Sequence, residues 1–110
     1  MSNASRSELA QVFAALGDGV RLQLIKRLLA AGAMSATALA GRGAISRQAI
    51  VKHLQVLESA GLVTHSRQCR EVQYALDARR LQEGRGYLGA VSRHWDASLD
   101  RLRSMVEISA

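Results

Sequence analysis

Proline is absent from all 110 residues of this chain, where average usage would place roughly 5. Glycine and small polar residues must therefore supply its helix ends and turns. Cysteine occurs once, at Cys69, which excludes an intramolecular disulfide framework and any multi-cysteine zinc site. Aromatic residues are scarce: Phe13, Tyr74, Tyr87 and Trp95. Only Tyr74 lies in the basic half, and a single-stranded nucleic-acid platform needs several stacking rings. Long apolar runs are missing too. The longest uncharged stretch, Leu28 to Gly41, is rich in small residues and too short to span a bilayer. The N-terminus has no basic start followed by an apolar run, so no secretory signal is expected and the expected location is the cytoplasm. No Gly-rich phosphate loop, Ser/His/Asp or Cys/His arrangement, or carboxylate pair emerges, so neither an enzyme nor a cofactor is expected.

What is present is enough for one globular domain. Hydrophobic residues make up 48% and charged residues 22%, a balance that folds rather than stays disordered. The domain is expected over residues 6–107, and residues 1–5, with the scar-like Ser2-Asn3-Ala4, as a disordered or tag-like N-terminus. A chain this small buries limited surface and gains from a partner subunit. Its formal charge of +6 makes polyanions the first partner class to consider.

Leu9, Val12, Phe13 and Leu16 recur at helical spacing and form one stripe. Gly17 ends that helix and Asp18 can cap the next. The second helix is expected to turn Leu22, Ile25, Leu28 and Leu29 to one side, and Gly32 stops it. Ser35 then caps a short third helix holding Ala38 and Leu39, broken by Gly41-Arg42-Gly43. The fourth helix is expected over 47–60. Ser46 is its N-cap, Ile45 and Ile50 form a hydrophobic staple, and Gly61 with Leu62 suits a Schellman end. Two strands follow, 63–67 and 70–76, joined through Gln68-Cys69. Asp77 caps a last helix, with Leu76 and Leu81 as a second staple. Gly84, Gly86 and Gly89 weaken its first half by roughly 1 kcal/mol each.

This order predicts a mainly α fold with a small β-hairpin. A short helix, a turn and a Ser-capped helix outline a helix-turn-helix, and the hairpin makes it winged. On the fourth helix Ile50, Leu54 and Leu57 share one sector and must face the core. The opposite sector presents Gln48, Val51, Lys52 and Gln55, with Arg47 at the N-terminal end. Gln pairs with adenine, Arg or Lys donates to guanine or phosphate, and Val meets a thymine methyl. Ser46 and the helix N-terminus suit a phosphate. Arg67 and Arg70 at the hairpin suit the DNA backbone or the minor groove. His53 lies about 60° off the core direction, open to a structural role or a phosphate contact.

Residues 34–63 resemble the winged helix-turn-helix of ArsR-family bacterial transcriptional regulators. The strongest match is Lys52-His53-Leu54-Gln55-Val56-Leu57-Glu58-Ser59-Ala60-Gly61-Leu62-Val63, and Phe13 to Arg21 looks like a second family segment. The resemblance implies a dimeric repressor of double-stranded DNA with the first and last helices at the two-fold. Gly19 departs from the family's usual proline, Ala44 from its turn glycine, and the wing lacks its frequent Asp-Gly. Metal-sensing members carry Cys-Val-Cys where this chain has Ser35-Ala36-Thr37, so a soft-metal thiolate site is not expected.

His53, His65 and His94 lie on different elements, and no metal site is expected among them. Cys69, between Arg67 and Arg70, has two readings: an exposed thiol without a role, or a redox switch activated by its cationic neighbours. The expected dimer interface is Leu9, Val12 and Phe13 with Leu88, Val91, Trp95, Leu99, Leu102 and Val106. The expected partners are therefore a double-stranded operator and a second copy of the chain, with no membrane and an unknown effector. The competing reading is a winged-helix protein–protein module with a merely solvated basic face. Charge supports the duplex: Arg42 to Arg70 contains Arg42, Arg47, Lys52, Arg67 and Arg70 against Glu58 alone, whereas 77–107 is nearly balanced.

Overall fold

A computed structural model describes residues 5–41 and 43–109. The expected tag-like segment falls mostly outside the described residues, as does Arg42. Ser5, the last residue of that segment, is described. Its hydroxyl accepts from the Glu8 backbone N–H (3.1 Å) and caps helix α1, Arg6–Leu16. The remaining elements are α2 (Gly19–Ala31), β1 (Ala33–Ser35), α3 (Ala36–Ala40), α4 (Arg47–Ser59), β2 (Val63–Gln68), β3 (Glu71–Leu76) and α5 (Ala78–Ser109).

The caps are those the small polar residues predict. Asp18 accepts from the backbone N–H groups of Val20 and Arg21, Ser35 from Ala38, Ser46 from Ala49 and Asp77 from Arg79. Each satisfies a donor that the first helical turn leaves without a partner. Helix α4 ends one residue earlier than expected, and its end is a full Schellman motif. Leu62 N–H donates to Leu57 O and Gly61 N–H to Glu58 O, both at 2.9 Å, with Gly61 at φ +79°.

The sheet differs from expectation in two ways. β1 was not legible: it pairs antiparallel with β3, Met34 opposite Tyr74, and makes a three-stranded sheet in the order β1-β3-β2. A three-residue Ala-Met-Ser segment is too short to show a period. As the central strand, β3 is half-buried along most of its length rather than alternating between faces. The hairpin turn also lies one residue further on than expected. Gln68 pairs with Glu71, leaving Cys69-Arg70 as the turn. Cys69 takes φ +58° there, the left-handed conformation that two-residue hairpins require and glycine usually supplies.

The core joins Val12 and Ala15 of α1, Leu24, Ile25 and Leu28 of α2, Leu39 of α3, Ile50, Leu54 and Leu57 of α4, and Leu62 and Val63 beyond it. Two expectations change here. Helix α2 buries Leu24 with Ile25 and Leu28, while Leu22 and Leu29 are exposed. At 100° per residue those two lie about 100–120° from Leu28, outside the buried sector. Val12, expected at the dimer interface, is 1% exposed and lies in the protomer's own core, on the side of α1 that meets Gly84 of α5.

Helix α5 has 32 residues, about 48 Å of helix, and packs chiefly on α1. It runs unbroken through its three glycines. At Gly84 the helix meets Val12 and Phe13, and a Cβ there would sit in ordinary van der Waals contact with their side chains, at 3.8–4.0 Å. Arg80 ties the two helices by donating to Glu8 of α1, and it also donates to Glu83 within α5. The radius of gyration is 18.8 Å, against about 13 Å for a compact chain of this size, because the far half of α5 projects from the body. Gly61→Ala should lower stability by about 1–2 kcal/mol, since alanine resists the left-handed conformation and its Cβ would press on the Arg80 side chain at 3.0 Å. Urea unfolding at fixed protein concentration measures this, and an unchanged midpoint would contradict it.

Candidate nucleic-acid interface

Helix α4 is the centre of the basic surface, and its orientation follows from burial. Ile50, Leu54 and Leu57 are at most 3% exposed, so the helix cannot roll without lifting them into water. That leaves Arg47, Gln48, Lys52 and Gln55 exposed on the outer side, with Val51 half-buried at its edge. Ser46 is exposed and caps the helix. These residues come together on one surface as the helical spacing predicts.

Arginines position the neighbouring elements. Arg27 of α2 donates to the backbone carbonyls of Ala38 and Leu39, holding the end of α3. Arg47 Nε donates to Thr37 Oγ1 (3.1 Å), linking the start of α4 to α3. Arg21 Nε and Nη2 donate to Ala15 O and Ala14 O, at 2.6 and 3.5 Å, and Nη1 donates to His53 Nδ1 at 3.3 Å. His53 therefore turns towards the α1–α2 junction, with Asp18 Oδ1 4.0 Å away, and does not join the exposed face of α4. Of its two open roles, the structural one matches this placement. A helical wheel could not separate them, because the deciding partner lies 32 residues away.

The wing stands beside α4. His65 on β2 bonds Glu58 near the end of α4 and lies against Tyr74, ring centroids 6.0 Å apart. Arg67 on β2 and Arg70 in the turn are exposed. Among the described residues neither side chain makes a hydrogen bond or ion pair, and the same holds for the side chains of Lys52 and Gln48. Arg47, Arg67 and Arg70 share a cleft with Ser35, Thr37 and Glu71. Ser35 and Thr37 were not foreseen there, because the β1–β3 pairing brings them beside the wing, and Glu71 sits in the wing itself as the first residue of β3. Among the described residues no three His, Cys, Asp or Glu side chains cluster, and no helix is long and apolar enough to cross a membrane.

A helix-turn-helix domain family matches residues 16–66, from the end of α1 to the middle of β2. The structure is similar to that of an ArsR-like transcriptional regulator from Rhodococcus sp. RHA1, with 37% sequence identity and a TM-score of 0.78 over 90% of this chain and 92% of the other. The chain belongs to the ArsR-like family of transcriptional regulators. It is a winged helix-turn-helix regulator of DNA-binding type. It is also similar to the homodimeric winged helix-turn-helix DNA-binding domain of a possible ArsR-family regulator from Mycobacterium bovis, at 25% identity and TM-score 0.64 over 86% of this chain and 93% of that one. The transcriptional repressor BigR from Xylella fastidiosa shares 27% identity and a TM-score of 0.59, over 73% of this chain and 82% of that one. No curated protein sequence matches the chain.

This ArsR-like chain departs from its family without losing the fold. Gly19 still begins α2, because Asp18 supplies the cap. The α3–α4 turn is closed by Gly43 N–H donating to Ala40 O at 3.1 Å. The Asp18 carboxyl is held below its ordinary value, first by the Arg21 backbone N–H; loss of hydration opposes this as the next-largest effect, and the nearby Arg21 charge and the Val20 N–H then add to the lowering. A carboxyl lowered on folding stabilises the native state above the ordinary carboxylate range, and that contribution is lost as pH falls through its native value. Asp18→Asn keeps the cap and removes the titration. Its urea midpoint should therefore fall less than that of the wild type between pH 5 and pH 3, and parallel loss would contradict this origin of acid sensitivity.

Proposed function

We propose that the protein is a homodimeric repressor that reads a near-palindromic operator with α4 in the major groove. The observation that supports this reading is the exposed set Gln48, Lys52 and Gln55 on α4, whose side chains have no partner among the described residues, with the exposed Arg47, Arg67 and Arg70 gathered at the start of the same helix. A buried ladder of Ile50, Leu54 and Leu57 presents that set rigidly. The glutamines and Lys52 are assigned to base edges or phosphates, and Ser46, Arg67 and Arg70 to the backbone. Binding across a promoter excludes polymerase, and a signal that lowers affinity restores transcription. The cytoplasm is the expected setting.

The dimer is assigned to α5 and the adjoining edge of α1. Leu88, Trp95, Leu99, Leu102 and Val106 are each more than half exposed in the protomer, with Val91, Leu9 and Phe13 half-buried beside them. Phe13 and Tyr87 rings lie 5.9 Å apart on this edge. An apolar stripe of this extent needs covering, and a second copy covers it symmetrically. The Mycobacterium bovis relative is homodimeric, and the Xylella relative is a repressor. A two-fold dimer sets its two α4 helices about one turn of duplex apart, roughly 34 Å.

Two measurements test this. Lys52→Ala should weaken operator binding by about 1–3 kcal/mol if Lys52 reads a base, and flatten the salt dependence if it meets a phosphate, with the protein folded and dimeric. Unchanged affinity and slope in a fluorescence-anisotropy salt titration would remove α4 from the groove. Leu99→Glu places a charge within the stripe and should yield a folded monomer by analytical ultracentrifugation. A dimer of undiminished stability would move the interface elsewhere.

A further inference from the structure

The cleft between α3, α4 and the wing has chemistry that a DNA-backbone contact does not account for. It is about 330 Å³ and is lined by Ser35, Thr37, Arg47, Arg67, Arg70 and Glu71, with Val51, Val72 and Tyr74 as its apolar wall. That volume lies at the small end of the range for small-molecule sites, roughly 300–1,000 Å³. Three guanidiniums on one cleft favour a doubly charged oxyanion. Arg47 is anchored through Nε to Thr37, while Arg67 and Arg70 have no protein partner among the described residues. The hydroxyls of Ser35 and Thr37 each already accept a hydrogen bond, so each has its own proton to donate.

Glu71 carries the discrimination. Among the described residues its carboxylate makes no ion pair with the three arginines, and its one side-chain hydrogen bond is accepted from Gln73 Nε2, at 3.4 Å. A phosphodiester inside duplex DNA has no free hydroxyl to offer that carboxylate. A small ester with free hydroxyls does, because a carboxylate accepts from them. We propose that this cleft binds a small phosphate ester bearing hydroxyl groups, and that the bound ester competes with DNA for Arg47, Arg67 and Arg70. The binding stands on the cleft alone, and the competition rests on the operator reading given above.

The test uses the ¹⁵N-labelled full chain without DNA, titrated with ribose 5-phosphate, inorganic phosphate and ribose at ionic strength held constant with chloride. Saturable amide shifts confined to residues 35–37, 47 and 67–72 are expected. Ribose 5-phosphate should bind more tightly than inorganic phosphate, and ribose alone not at all. Arg47→Gln and Arg70→Gln should each weaken the ester about tenfold or more. Glu71→Ala should abolish the preference for the ester while leaving phosphate bound. The same spectra report whether each variant is folded. Shifts that do not saturate, or that spread over the arginines of α5, overturn the site. Should the Arg variants then weaken only duplex binding, those arginines are backbone contacts and the operator reading survives alone. Equal affinity for phosphate and ester overturns the role of Glu71. An ester that saturates the cleft without lowering operator affinity overturns the competition. A protein that binds the ester but no duplex keeps the site and loses the operator reading.

Discussion

The edge of α4 formed by Ile50, Leu54 and Leu57 is the constraint on which the rest of the molecule depends. These side chains meet α1, α2, α3 and the start of β2 together, so one buried line fixes the roll of the helix. Burying each such side chain contributes about 1.5–3 kcal/mol, more than any exposed charge pair in the chain can supply. The Schellman end then directs the chain at Leu62 and Val63 into the sheet. Asp77 N–H donates to Leu62 O at 2.8 Å, bringing the start of α5 back to the end of α4. The exposed face of α4 is what remains after these demands are met.

The arginines divide by what they touch. Arg21 and Arg27 spend their donors on backbone carbonyls at helix ends, where the last turn leaves acceptors unpaired. They tie α2 to α1 and α3 to α2. Arg80 ties α5 to α1. The wing arginines are held by the backbone alone. A net charge of +6 thus conceals two populations. One is internal bracing that no partner can recruit without disturbing the fold. The other is available to a polyanion or, in the cleft beside Glu71, to a smaller anion.

Helix α5 shows how far a protomer of this size can go alone. The core closes with the first turns of α5 against α1, where Gly84 faces Val12 and Phe13. The remaining turns carry leucines, Trp95 and Val106 into solvent. Their spacing is that of a packed helix, yet Leu88, Trp95, Leu99, Leu102 and Val106 each stay more than half exposed in the protomer. Interface residues and core residues share the same sequence stripe, so Val12 was indistinguishable from Leu9 and Phe13 until the structure placed it.

Some features were legible in the residues because their causes are local. Asp18, Ser35, Ser46, Asp77 and Gly61 act within four residues of themselves, and the apolar period of α4 names its own buried side. The ArsR-like segment from Lys52 to Val63 was readable for the same reason. Other features depended on partners distant in sequence. β1 exists because β3 lies alongside it, 40 residues later. Leu22 and Leu29 stay exposed because α2 meets its neighbours through Leu24 and Leu28. His53 turns inward because Arg21 is there to donate to it. Cys69 accepts a left-handed turn because both strands are already in register. The sequence alone determined which segments are helices, where they end and which side of α4 faces outward, since hydrogen-bond satisfaction and helical period are local. Only the tertiary structure decided which apolar residues are core, which arginines are free and that Ser35, Thr37 and Glu71 share a cleft with them, because each depends on what packs against it.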